Sequence, residues 1–101
     1  MKLALCNEVI RELSFPEQCK LAAKLGYRGI EIAPFTLFDD IASFNEKDAI
    51  LRKQQASDEG ILISSLHWLL VKPDDLSLVS SDATVRLKTQ DWLKQVIAYA
   101  H

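Results

Sequence analysis

Gly29-Ile30-Glu31-Ile32-Ala33-Pro34 is the stretch whose reading decides the fold of this chain. Tyr27 to Phe35 reads as a β-strand closed by Pro34, which cannot donate to a sheet ladder. Near-continuous apolar runs of this kind belong to parallel sheets buried on both faces. A single carboxylate, Glu31, interrupts the run, and a lone charge there is costly unless it is paired or used. The same pattern returns in Ile61 to Leu70, where Ser64-Ser65-Leu66-His67-Trp68 places one imidazole near the end of a strand. In α/β folds, ligands gather at the C-terminal ends of strands.

Working outward from these two strands, Lys2 to Glu8 is a third strand candidate. Between it and Tyr27 lies a helix with a clear start: Ser14 caps it, Pro16 suits its first turn, and Glu17 completes an S-x-x-E capping box. Phe15, Cys19, Ala22 and Ala23 share one face, with Leu21 and Leu25 widening it, and Gly26 is its stop. Thr36 to Phe44 is expected to be a long loop with a helical turn at Asp39 to Ala42. Asn45 with Asp48 starts a second, strongly polar helix ended by Gly60, whose apolar contacts are expected from Ile50, Leu51 and Ala56. Lys72 to Ser80 is a loop carrying Pro73, Asp74 and Asp75. Ser81 or Asp82 then caps a third helix, with Val85, Trp92, Val96 and Tyr99 on one stripe and Leu93 and Ile97 beside it.

The order strand, helix, strand, helix, strand, helix is that of βαβ crossovers and a parallel sheet. The units start near residues 2, 28 and 61, a spacing of roughly thirty that suits one βα unit. The fold class expected is therefore α/β, with three βα units over residues 1–101 forming part of a larger fold. The apolar stripe still runs at Ala100-His101, and three parallel strands leave an open edge and uncovered apolar faces.

Composition narrows the function classes. With 49% apolar and 26% charged residues the chain has the balance of a globular domain. A net charge of −2 and scattered Lys and Arg give no basic stripe for nucleic acid. The run from Gly60 to Val71 is interrupted by Ser64, Ser65 and His67, so no membrane span is expected. Cys6 and Cys19 form no CxxC or zinc spacing, and both read as small buried hydrophobes. With so few cysteines and no secretory signal, a reducing cytoplasm is the expected location.

Strand alternation groups the polar residues. Ala4, Cys6, Glu8, Glu31, Ala33, Ser65 and His67 fall on one side of the sheet, together with Ile63 and Leu69. Leu3, Leu5, Asn7, Ile30, Ile32, Leu62, Ser64, Leu66 and Trp68 fall on the other, toward the helices. A carboxylate and an imidazole converging at one rim suit a metal site or a proton-transfer pair. Two other readings stand beside this one: Glu31 as an ion-pair partner of Arg28 or of a lysine on a neighbouring strand, and His67 as a core histidine bonded to backbone carbonyls. Glu8 is equally readable as a solvated strand end, and Trp68 and Trp92 as core packing.

Leu5-Cys6-Asn7-Glu8, Ala22-Ala23-Lys24-Leu25-Gly26-Tyr27, Gly29 to Phe35 and Leu66-His67-Trp68-Leu69-Leu70 resemble the start of the sugar phosphate isomerase/epimerases. These belong to the xylose isomerase-like TIM barrel superfamily; Pro73-x-x-Leu76-Ser77-Leu78 and Asp82-x-x-Val85-Arg86 fit as well. The resemblance implies the N-terminal part of a (β/α)8 barrel of about 250 to 300 residues. It implies a divalent metal (Mn, Mg, Zn or Co) held by Glu, Asp and His on later strands, none of which has a counterpart here. It also implies proton transfer next to the carbonyl of a sugar or sugar phosphate. Carried over residue by residue, Glu31 and His67 become catalytic contributors to the rim, and Asn7, Glu8 and Trp68 substrate-binding ones.

Three functions follow as alternatives. The first is the N-terminal segment of a metal-dependent sugar (phosphate) isomerase or epimerase. The second is a non-catalytic fragment that folds by homo-oligomerisation or by pairing with the missing barrel portion. The third, an abasic-site endonuclease of the same superfamily, is disfavoured by the lack of a basic groove.

Overall fold

The computed structural model describes residues 2–38, 40–71 and 75–101. Three strands, β1 (Ala4–Cys6), β2 (Gly29–Ile32) and β3 (Leu62–Leu66), form a parallel sheet in the order β1-β2-β3. They alternate with three α-helices: α1 (Phe15–Lys24), α2 (Glu46–Asp58) and α3 (Ala83–Ala100). This is the α/β arrangement expected from the sequence.

The local signals act as read. Ser14 Oγ accepts from the Glu17 N–H, Asn45 Oδ1 from Asp48, and Asp82 Oδ1 from Thr84, each filling an orphan donor at a helix N-terminus. At their other ends α1 and α2 close with the same Schellman bonds. Tyr27 N–H donates to Ala22 and Gly26 to Ala23; Ile61 donates to Ala56 and Gly60 to Ser57. Gly26 and Gly60 hold φ of +89° and +70°, a region costly for a residue with a Cβ. Each helix is thus turned straight into the next strand.

The strands are shorter than the apolar runs that announce them. After Cys6 the chain winds into a 3-10 turn over Asn7–Ile10, and after Ala33 into another over Pro34–Thr36. Trp68, at φ 54°, stops continuation beyond β3. Asp39 of the expected helical turn lies outside the described residues; a 3-10 turn at Ile41–Ser43 occupies the stretch beyond it. Lys72, Pro73 and Asp74 of the expected loop also lie outside them.

A register shift opposite Ile30 and Glu31 corrects the assignment of faces in β3. Ile63 pairs with Ile30, but Ser65, two residues on, pairs with Glu31. One extra residue in a strand reverses the facing of everything on one side of it. Ile63 therefore packs with Leu66 on the helix-side core, not opposite to it, and Leu62 is 74% exposed. Beyond the shift the expected facing holds for Ser65, Leu66 and His67. It does not hold for Trp68, which was expected toward the helices and is 61% exposed because its φ of 54° turns the chain out of the strand.

Two apolar clusters hold the layers. In the first, Phe15, Cys19 and Ala22 of α1 meet Ile30 and Ile32 of β2, with Ala56 and Ile61. Ala56 is buried as expected, but Ile50 and Leu51 are 63% and 50% exposed. The inward face of α2 runs instead through Ala49, Arg52 and Ala56, with the Arg52 guanidinium 5.5 Å over the Phe15 ring. The second cluster gathers Phe38 and Phe44 against Trp92, Val96 and Tyr99 of α3. Phe44 and Tyr99 stack at 3.7 Å between centroids, the Tyr99 hydroxyl donates to Asp48 at 2.6 Å, and the Trp92 indole N–H donates to the Leu69 carbonyl at 2.7 Å. Burial first, then the bond to Asp48, pushes the Tyr99 phenol pKa up, so Tyr99 stays a donor. Full burial of an aromatic or aliphatic side chain contributes roughly 1.5–3 kcal/mol, so Phe44 is a principal anchor of α3.

Asn7 lies on the helix side, as strand alternation placed it, and away from the substrate-binding position that the resemblance implied. It is fully buried, its Oδ1 accepts from the Ala33 N–H at 2.8 Å, and its Nδ2 donates to Thr36 Oγ1 at 2.7 Å and Gln18 Oε1 at 3.3 Å. Both of its N–H donors are engaged and the whole side chain is shut away from solvent, so its work is to join the ends of β1 and β2 to α1. Asn7→Ala should cost about 1–3 kcal/mol by stranding the buried Ala33 N–H, read as a lowered urea midpoint at unchanged slope.

Candidate functional site

The ends of β1, β2 and β3 deliver four side chains to one place. Cys6 is the last residue of β1 and Glu8 lies in the 3-10 turn that follows it. Glu31 lies inside β2, paired to Cys6 on one side and Ser65 on the other. His67 follows β3 directly, its N–H donating to the Ile32 carbonyl at 2.9 Å, so the sheet ladder itself fixes where the imidazole starts.

His67 Nε2 lies 2.7 Å from Glu8 Oε2, and His67 Nδ1 lies 3.8 Å from Glu31 Oε2. The Cys6 thiol donates to the same Glu31 oxygen at 3.2 Å. An ionised carboxylate only accepts hydrogen bonds, so the short contact to Glu8 places a proton on Nε2. Nδ1 is shielded from solvent and has no hydrogen-bond partner among the described residues. The Glu31 oxygen stands 3.8 Å from it, beyond hydrogen-bond length. An imidazole with one ring nitrogen on each of two carboxylates has the parts that general acid–base chemistry uses.

The sequence-predicted residues divide accordingly. Glu31, His67 and Glu8 are brought together, Glu8 reaching His67 across 59 positions of sequence. Asn7 is not; it stands behind the cluster in the core. Trp68 is 61% exposed at the rim, with its ring 6.4 Å from Phe35 and 6.2 Å from His67. Its positive φ is a conformation costing of order 1–3 kcal/mol for a bulky residue. Among the described residues Glu31 is engaged by Cys6 and His67, not by Arg28.

Cys6 is the member that sequence reasoning missed. It is half-buried and bonded to Glu31, whereas Cys19 is fully buried, as expected for both. The signal was available: Cys6 alternates onto the same face as Glu8, Glu31 and His67. A groove of about 800 Å³ lies elsewhere, between α2, the free edge of β3 and α3, and none of Cys6, Glu8, Glu31 and His67 lines it.

No protein-family description matches the chain, and no curated protein sequence matches it. Among solved structures it is similar to a crystal structure of D-psicose 3-epimerase in the presence of D-fructose, with a TM-score of 0.72 and 20% sequence identity. The match covers 99% of this chain and 33% of that one, so the chain spans about a third of the neighbour's length. The likeness is one of fold: three βα units laid out as in the N-terminal part of a TIM barrel. Among the described residues no helix is long and apolar enough to cross a membrane.

The hydrogen bond to Glu31, then burial, then the charges of Glu31 and Glu8 raise the Cys6 thiol pKa above its ordinary value. A raised pKa leaves less thiolate at a given pH, and thiolate is the form that alkylates. In the metal-free chain Cys6 should therefore react with iodoacetamide more slowly than a free thiol across pH 7–9, and Glu31→Gln should speed it. Cys19, shut in the core with its pKa pushed up to about 11, should stay unreactive in both proteins. Mass mapping of the alkylated thiols against pH checks this.

Proposed function

We propose that this chain is the N-terminal segment of a sugar isomerase or epimerase barrel, contributing a proton-transfer rim that acts next to the carbonyl of a ketose. The observation that carries the reading is His67 bridging toward Glu8 and Glu31 at the C-terminal ends of parallel strands. Support also comes from the fold neighbour, named as a 3-epimerase of a ketose. Inverting a carbon next to a carbonyl calls for removing its hydrogen as a proton and returning one from the other face. Glu31 and His67 are assigned to holding and moving that proton. Glu8 orients the imidazole and fixes its tautomer, and the exposed Trp68 ring offers an apolar wall for a sugar face.

A divalent metal, implied by the family resemblance, would supply Lewis acidity toward the sugar oxygens. The family's ligands for it sit on later strands and have no counterpart in this sequence, so no step above is routed through it. A reducing, cytoplasmic setting agrees with the two free cysteines.

In deuterated water, D-fructose incubated with the protein at its native length should gain deuterium at the carbon beside the carbonyl, read by NMR. Glu31→Gln and His67→Ala should each slow this by about 10²–10⁴-fold, with melting temperatures little changed. Normal exchange rates in both variants would remove the assignment.

A second reading rests on the free edge of β3, where Leu62 is 74% exposed beside the groove. Unpaired strand edges recruit further strands, so self-association is the competing role for this surface. Sedimentation should then show dimers at micromolar concentration that Leu62→Lys converts to monomers. A monomer at all concentrations discards it.

A further inference from the structure

Nδ1 of His67 faces the wrong kind of neighbour. With Nε2 committed as a donor to Glu8, a neutral His67 presents a lone pair at Nδ1, and 3.8 Å away stands a carboxylate oxygen that also carries lone pairs. Nδ1 is buried and unpaired among the described residues. Two acceptors turned toward each other in a partly desolvated place are relieved either by a proton on Nδ1 or by a cation between them.

The third neighbour tells which. Cys6 Sγ lies 3.2 Å from the same Glu31 oxygen, and the donor atoms of Cys6, Glu31 and His67 all fall within 4.8 Å of one another. Zinc bonds of about 2.0–2.3 Å in a tetrahedron set neighbouring donors about 3.3–3.7 Å apart. The observed 3.2 and 3.8 Å fall within a few tenths of an ångström of those limits. Two of the three donors sit on adjacent paired strands, Cys6 opposite Glu31, so their spacing is set by the sheet and not by a loop.

The fourth feature lies behind the imidazole. A histidine that ligates a metal nearly always donates its other ring N–H to a carboxylate or carbonyl, which orients the ring and makes the ligating nitrogen more basic. Glu8 occupies that position at 2.7 Å. A thiol among the donors selects against magnesium and calcium and favours zinc-like cations.

We propose that Cys6, Glu31 and His67 bind one soft divalent cation of the zinc class, with Glu8 as the positioning residue behind His67. Three protein donors leave a tetrahedral ion one open position, for water or for an oxygen of a ligand. The site goes beyond the sugar reading and does not rest on it. It is also distinct from the family's later-strand metal, being made wholly from this chain. With the cation bound, Glu31 and His67 serve as ligands; without it they are free for proton transfer, so the two are exclusive states of one cluster.

The experiment is a titration of the chelator-stripped, reduced full chain with Co²⁺ alone, no sugar present. The expected result is saturation at one equivalent, with a sulfur-to-cobalt charge-transfer band in the near ultraviolet and the intense visible bands of tetrahedral cobalt. Zn²⁺ should bleach both, and a large excess of Mg²⁺ should leave them. Cys6→Ser should abolish the charge-transfer band and Cys19→Ala should preserve it. Glu8→Gln should weaken cobalt affinity about 10–100-fold while retaining the band. Absence of the band in the unmodified chain overturns the proposal. Persistence of the band in Cys6→Ser overturns it equally. The wild-type spectrum decides even if a variant fails to fold. Because no sugar is present, a failed titration says nothing against ketose chemistry, and failed ketose exchange says nothing against the cation.

Discussion

The bond from the Ala33 N–H to the buried side-chain Oδ1 of Asn7 is the constraint on which the rim depends. Both strands end there: β1 has just passed into a 3-10 turn, and β2 is about to do so at Pro34. A backbone donor released from the ladder inside the core must find a partner, and Asn7 supplies it. The same amide reaches Thr36 and Gln18, and Gln18 in turn donates to the Ile10 and Leu13 carbonyls. One side chain therefore ties two strand ends and a helix into one rigid corner. Glu8, the next residue, is turned out of that corner to His67.

Around this corner the molecule separates its tasks between the two faces of the sheet. The helix side is filled by Ile30, Ile32 and the α1 face, where loss of a methylene is felt as a cavity. The other side carries small or polar residues, including Ala4, Gly29 and the functional cluster. A Cβ on Gly29 would approach the Leu62 carbonyl at 3.1 Å, so the close meeting of β2 and β3 needs a glycine there. A polar cluster at the end of such a face is partly desolvated yet reachable, with His67 and Glu8 about one-fifth exposed and Glu31 over one-third. That middle ground strengthens electrostatic contacts without the full cost of burying charge.

The legible parts of the sequence were those with a short-range physical cause. Caps at Ser14, Asn45 and Asp82 and the glycines at 26 and 60 act over two to five residues, and each does what its chemistry requires. Convergence of Glu31 and His67 followed from alternation combined with a parallel sheet. Three features were not legible because their causes lie far away in the chain. The irregular pairing of β3 arises from meeting β2, and it reversed Ile63 and Leu62. Phe44, read as the end of a loop, became an anchor because Tyr99 and Trp92 arrive more than forty positions later. Ile50 and Leu51 read as core from hydrophobicity alone, while Arg52 and Ala49 took the inward phase of α2.

By itself the sequence determined an α/β chain of three strand–helix units, with an acid and an imidazole at two strand ends. Those are consequences of periodicity and capping, which each segment carries within itself. Tertiary structure alone decided that Cys6 bonds to Glu31, that Glu8 bonds to His67, and that the Asn7 side chain takes the Ala33 N–H as a brace. The physical reason is distance: hydrogen bonds form over about 3 Å, and the partners here are 25 to 59 residues apart until the sheet pairs them.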